Sequence, residues 1–575
     1  MSAACLGLSW LGDCSYDPSA PGNLYFSLGE AVGALAFTLA VQQFLRPIYL
    51  FRLRSRYLSL GWLYSLVFAG VGSAFVAAIV PSLNLPRGWW VYPVVWELLA
   101  AILFVVPYGA VGLAIARPIK VAPRRIPDFA RGAARLLAGS SDSDRIDLMH
   151  DLILSVPILA KAAHGLDTPP KRRTAFYDYI HRSKIEQAGF SQSFLSILAD
   201  PQTCRTLVRS APWSVAEILR GLSDEEIYAP AAEQWVREIA KQAILEDESM
   251  MAREIEFHGF ATAPLLSDGL FSDAFIVERY NPMDFFLPQE RIGASVLRRF
   301  NHAARRSFMV LIDEGSADNS PVAHWIASTY ETAFLGVWKE QERADHDHHY
   351  TLEVRHSLEQ AARLATKMMD KATPEEYEEM FISDPEKFRS DGLEALVEIV
   401  FKGLCSFASK FAGVDDPFWM AALEGVNRPF EKIGAQPDGM TPFQQRLALK
   451  IVDKVKDNME GWYPSITRVL LATLGPYNAR GLQPNRTAFN ILREAVYAEL
   501  RLFPKLAEKQ PEKVAHYLPH NITFDGKVVV HLNRDAAYGS TDLTALTIER
   551  PSLTAPEIRR PLTAEERREA RARIF

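Results

Sequence analysis

The densest cluster of groups able to do acid–base or metal chemistry is ERADHDHHYTLEVRH, residues 342–356, with four of the chain's thirteen histidines. Placed on a helix, Asp345, His349, Glu353 and His356 follow at steps of four, four and three, which makes one stripe. Glu353-x-x-His356 also has the spacing of the ligand pair in carboxylate-bridged di-iron bundles. Such bundles need a second Glu-x-x-His, and the chain has none. A polar stripe on a long helix also serves as a solvated face with His–carboxylate pairing. The stripe thus has two readings, a solvated face and a metal site.

Other chemistry has little to stand on. There is no P-loop, no GxSxG, no HExxH and no glycine-rich dinucleotide turn. His150-Asp151 is half of an HD-type metal pair, but no histidine precedes it to supply the upstream ligand. Cys5, Cys14, Cys204 and Cys405 are too few for a disulfide framework, and no CxxC suggests structural zinc. No cofactor is expected.

Two further carboxylates are notable for where they fall. Glu30 and Glu97 are each the seventh residue of a long apolar run. Three such runs, 24–45, 58–80 and 91–116, exceed the ~20 residues a helix needs to cross a bilayer. With a rise of about 1.5 Å per residue, both acids sit roughly 9 Å below one edge of the hydrocarbon. Matched intramembrane acids suit an ion pathway or a polar helix contact, and shallow ones also reach the interface. Gly29 and Gly33 form a GxxxG beside Glu30, and Gly70, Gly72, Ser73 and Ala74 crowd the second run, as at close helix–helix contacts.

The elements that position these residues follow from charge. Arg46, Arg52, Arg54 and Arg56 fill the first loop, and Arg117, Lys120, Arg124 and Arg125 follow the third run, whereas the second loop has only Arg87. Basic flanks stay in the cytoplasm, so these eight residues act as topology determinants: N-terminus out, three spans, C-terminal bulk in. Trp89, Trp90 and Tyr92 at one boundary and Tyr49 and Tyr57 at another match interfacial aromatic belts. Residues 1–125 hold nine Lys/Arg against four Asp/Glu, so the remainder carries the whole of the chain's negative balance. An acidic bulk argues against non-specific nucleic-acid binding.

The expected fold is mainly α: three transmembrane helices, then a large α-helical cytoplasmic region with a small β-hairpin near the C-terminus. The expected organisation is an extracytoplasmic tail (1–23), a three-span domain (24–118), a basic juxtamembrane linker (119–143) and a helical cytoplasmic domain (144–515). That helical domain is one body or two, with a boundary near 259–290. A hairpin turning at Asp525-Gly526 and a charged tail complete the chain (516–575). In the linker, Phe129, Leu136 and Leu137 with Arg131 and Arg135 suit either an amphipathic helix on the inner leaflet or the first helix of the domain. Asp144 is the expected N-cap of the next helix, and Thr441 with Pro442 the start of a later one. The Phe-rich stretch 256–293 suits either a binding loop or an irregular core segment.

Three functions fit. The first is a membrane-anchored module binding a protein partner or sensing a signal at the inner face. The second is an oligomeric channel or permeabilising effector using Glu30 and Glu97. The third is a metal-dependent enzyme at 345–356. The expected partners are the lipid bilayer, a cytoplasmic protein and, through the spans, further copies of the chain, with no nucleic acid.

Overall fold

The computed structural model describes residues 3–4, 13–14, 28–44, 46–55, 60–80, 93–116, 119–139, 141–164, 175–256, 265–343, 349–381, 391–411, 441–461, 463–472, 522–524, 528–535 and 540–547. Among them the chain is overwhelmingly helical, and no strand lies between Leu28 and Ala472. Short antiparallel pairings occur only near the ends of the chain, Ala3–Ala4 with Asp13–Cys14 and a three-stranded set within 522–547. The Asp525-Gly526 turn and the charged tail beyond residue 547 lie outside the described residues. The chain divides into two compact units, Met1–Trp235 and Val236–Phe575.

The first unit opens with helices α1 (Leu28–Phe44), α2 (Pro47–Ser55), α3 (Leu60–Ile79) and α4 (Pro93–Ala116). Two of the three expected spans hold helices long and apolar enough to cross a membrane, Gly61–Ile79 and Val95–Leu113. In the first run the described helix has 17 residues, about 26 Å at the helical rise, and residues 24–27 and 45 of that run lie outside the described residues. The loop between the first two runs is itself helical, because Pro47 starts a turn that Leu53 anchors against Leu63 and Val111. Ala31, Val67, Ala74, Ala100 and Phe104 form the seam between α1, α3 and α4. Gly70 lets α3 approach Phe104, and a Cβ there would lie 2.9 Å from the ring.

Six more helices follow: α5 (Ile126–Gly139), α6 (Asp142–Leu152), α7 (Val156–His164), α8 (Ala175–Leu198), α9 (Pro201–Ser210) and α10 (Pro212–Asp224). The apolar stripe of α5 is covered by protein: Phe129, Leu136 and Leu137 are buried, and Phe129 packs on Phe51 of α2 and Phe194 of α8. Of the two readings of this segment, the start of the helical domain is therefore the one observed. The N-cap of α6 is Ser141, whose hydroxyl accepts from the Asp144 amide. Asp144 sits three residues in, so the expected cap is displaced by one turn: a serine already stands where the chain turns, and it leaves Asp144 free to face Arg46.

α11 (Pro230–Leu245) carries the division between the units. In the second unit come α12 (Met250–Glu256), α13 (Leu266–Phe271), α14 (Ala294–Glu314), α15 (Pro321–Arg343), α16 (His349–Lys371), α17 (Pro374–Glu379), α18 (Gly392–Phe411), α19 (Pro442–Glu460) and α20 (Pro464–Ala472). α18 is the hub, packed against α15, α16, α19 and α20. Its apolar residues run nearly all the way round, which a helix needs when neighbours cover it on several sides. A buried polar node ties α14, α15 and α16 together, since Asn301 Oδ1 accepts from Tyr330 (2.8 Å) and from Ser357 (2.8 Å). In the Phe-rich stretch, Phe271, Ile276 and Tyr280 are buried, whereas Phe286 stays exposed. The part of that stretch from 265 onward is thus mostly core.

Gly392 opens α18 against the backbone of Ala317. A Cβ there would lie 2.6 Å from the Ala317 carbonyl oxygen, and backbone on both sides cannot yield easily. Gly392→Ala should cost about 1–3 kcal/mol, read as a lowered thermal midpoint of the full-length protein. An unchanged midpoint would mean that this contact opens without cost.

Candidate functional site

The stripe predicted from sequence lies along α16. Asp345 and the side chain of His349 are outside the described residues. Glu353 and His356 fall, as their spacing requires, on one wall of an open cleft of about 550 Å³, shared with Ile255, Leu352, Arg355, Glu359 and Arg298. Glu353 is almost fully buried and accepts a hydrogen bond from Arg298 Nε at 2.7 Å, with a terminal guanidinium nitrogen also 2.7 Å from the same oxygen. Arg355 donates to Glu359 at 2.9 Å, and His356 Nε2 lies 2.7 Å from the Gln360 amide nitrogen. The cleft wall is therefore charge-balanced, each arginine already holding a carboxylate. Among the described residues no group of three or more His, Cys, Asp or Glu is placed to hold a metal ion.

Burial also decides the described cysteines. Cys204 is enclosed and donates to the Leu198 carbonyl, and burial pushes the Cys405 thiol up to about 12. Cys405 is therefore no nucleophile near neutrality, because the reactive form is the thiolate. His150, from the half-HD pair, bonds Ser214 through Nδ1 at 3.1 Å, and Asp151 turns instead to an arginine.

That arginine belongs to a second constellation, built from the basic residues of the first loop. Arg46 reaches Asp144 and Asp147 of α6, each at 2.8 Å. Arg52 Nε donates to Asp151 Oδ2 at 2.7 Å, with Asp151 wholly enclosed. Both guanidinium groups lie within 6 Å of the Tyr49 ring. The three acids recur at steps of three and four, which is one face of α6. Burial holds the Asp151 carboxyl above its ordinary range, opposed by Arg52 and the Ile119 backbone. The local signals were all in the sequence; the pairing between residues a hundred apart was not.

The other basic residues differ. Arg54, Lys120 and Arg124 are exposed, and no carboxylate among the described residues pairs with them. Arg125 is half-buried, and Arg56 and Arg117 lie outside the described residues. Of the two apolar-run acids, Glu30 is exposed in the first turn of α1 and Glu97 is buried within its own unit. Among the described residues nothing stands within 4 Å of a Cβ placed at Gly33, so no described helix packs on that half of the GxxxG.

The sequence matches no family model, no curated protein and no solved structure.

Proposed function

We propose that this chain is an integral membrane protein with three spans, N-terminus outside, whose large acidic helical region works at the inner membrane face as a partner-binding or signal-sensing module. The observation that carries the reading is the exposure of its apolar helices. Phe37 is 60% exposed, Phe68 59%, Phe75 53% and Val105 68%. Only 33% of the α3 window and 24% of the α4 window is buried. A core helix of a water-soluble protein hides such residues, whereas a patch this large in water calls for a covering. Lipid supplies it on every side at once.

The ion pairs support the orientation. α2 lies before α3, and α6 lies after α4, yet Arg46 and Arg52 touch Asp144, Asp147 and Asp151 directly. Residues in contact share one side of a bilayer, so the chain between them crosses an even number of times. α3 and α4 supply two crossings. The Lys/Arg asymmetry then makes that side the cytoplasm. On this reading residues 516–575 belong to the same cytoplasmic region.

The channel reading gains nothing from Glu97, which is enclosed by its own chain. The metal-enzyme reading gains nothing from Glu353, which Arg298 already holds. Two measurements on the intact protein test the favoured reading. Alkaline carbonate should leave it in the membrane pellet, and release into the supernatant would overturn the anchor. A reporter active only outside the cytoplasm, fused after Phe575, should stay silent; activity would reverse the orientation.

A further inference from the structure

The basic residues at the membrane end fall into two classes, and the division carries meaning. Arg46 and Arg52 are spent inside the protein, on Asp144, Asp147 and Asp151. Asp128 is beside Arg131 at 3.6 Å and Asp142 beside Arg145 at 3.4 Å. Arg54, Lys120 and Arg124 are exposed, and no counter-ion among the described residues pairs with them. We infer that Arg54, Lys120 and Arg124 form a docking surface for anionic lipid headgroups of the leaflet that α3 and α4 enter and leave. The inference rests on the membrane reading and deepens it.

Their placement argues for it. Arg54 follows Leu53, which packs on Leu63 near the start of α3 and on Val111 near the end of α4. It therefore stands where both apolar helices end. Lys120 comes four residues after the last residue of α4. The backbone around it is pinned by one serine: Ser155 Oγ donates to the Ile119 carbonyl (3.0 Å) and accepts from the Val121 amide (3.3 Å). Ile119 and Val121 turn inward and are buried, which directs Lys120 outward. Arg124 lies in the short 3-10 turn Pro123–Arg125, none of whose residues is buried. Three fixed cations at hydrocarbon level's edge meet phosphate and carboxylate headgroups without any rearrangement of the fold.

Anionic lipid is favoured over an acidic protein because of reach. Residues tethered this close to the ends of α3 and α4 sit at the headgroup layer itself, where lipid is present at far higher local concentration than any soluble partner. The amphipathic helix α5, a rival route to the same lipids, has its apolar face buried and its Arg131 over the Phe190 ring.

The test uses the full-length protein purified in mild detergent, with phosphatidylglycerol or phosphatidylcholine added and retained lipid counted by native mass spectrometry. Wild type should retain phosphatidylglycerol selectively. With each cation near the surface giving roughly a fivefold gain, Arg54→Gln/Lys120→Gln/Arg124→Gln should weaken that retention at least about tenfold. Its thermal midpoint should not move, since none of the three bonds a side chain among the described residues. Arg54→Lys/Arg124→Lys should retain the lipid, and Arg46→Gln should keep the preference while losing stability. Equal retention of the two lipids by wild type, or unchanged retention by the triple variant, overturns the inference. So does an acidic protein that displaces the lipid from these residues. Release by carbonate would instead overturn the membrane reading beneath it.

Discussion

Arg446→Ala should unfold the second unit at markedly lower temperature or denaturant, with a cost of about 3–5 kcal/mol. Arg446 is wholly enclosed and holds both oxygens of Asp391, at 2.6 and 2.9 Å. Its remaining donors reach the Met380 carbonyl at 3.0 and 2.7 Å. Asp391 in turn accepts from the Glu394 amide at 2.8 Å, which caps the first turn of α18. Removing the guanidinium strands a buried carboxylate and a buried carbonyl together, and the hub helix starts at that carboxylate. Glu394 adds to the effect. Burial already raises its carboxyl, with Lys450 and Arg446 in opposition, so losing Arg446 moves it further from its charged form.

The pair need not be net stabilising for this to hold. Taking two charges out of water is costly, and well-packed apolar replacements are often neutral. Arg446→Leu/Asp391→Leu should therefore lose less than the two single variants together, and less than Arg446→Ala alone. Chemical unfolding of the full-length protein in detergent reads all four. A loss below about 1 kcal/mol in Arg446→Ala would mean that water enters and solvates Asp391, contrary to the enclosure described.

Much of the second unit was legible residue by residue. Thr441 and Pro442 start α19 as expected, and the cap is reciprocal: the Thr441 amide donates to Gln444 Oε1 and the Gln444 amide to Thr441 Oγ1. In the first unit, Asp200 and Pro201 are likewise the cap and first residue of α9. Such signals act within one turn of chain, and sequence carries them directly. Periodicity was less decisive for α5. It marks Phe129, Leu136 and Leu137 as one face but is the same whether lipid or α2 and α8 cover that face. The stripe on α16 shows the same limit. Spacing brought Glu353 and His356 to one wall, but Arg298, 55 residues earlier, decides what Glu353 does. The first-loop arginines read alike in sequence, and only their long-range partners divide Arg46 and Arg52 from Arg54.

Arg52→Gln should destabilise the first unit by several kcal/mol at neutral pH and by much less in acid. Asp151 is fully enclosed and its carboxyl is raised above its ordinary value of 3.8, chiefly by burial, with Asp147 adding to the rise and Arg52 and the Ile119 backbone opposing it. A carboxyl that binds its proton more tightly when folded stabilises the fold below its unfolded pKa, and that contribution is lost as pH rises through the folded value. With Arg52 gone the largest opposing influence disappears, so the folded value climbs and the losing window extends upward. The variant should therefore sit close to wild type below about pH 4 and fall away steadily toward neutrality. Asp151→Asn in the same background removes this titrating group, so the double variant should lose the pH-dependent part of the deficit and be more stable than Arg52→Gln at neutral pH. The thermal midpoint of the full-length protein, followed across acid to neutral pH, distinguishes these outcomes. A deficit of constant size would show that Arg52 acts through packing on Tyr49 and not through Asp151. Because this pair and Arg46 hold α6 beside α2, the same variant loosens α6 from the short helix between α1 and α3. On the proposed topology, it breaks the link by which events on one are felt by the other.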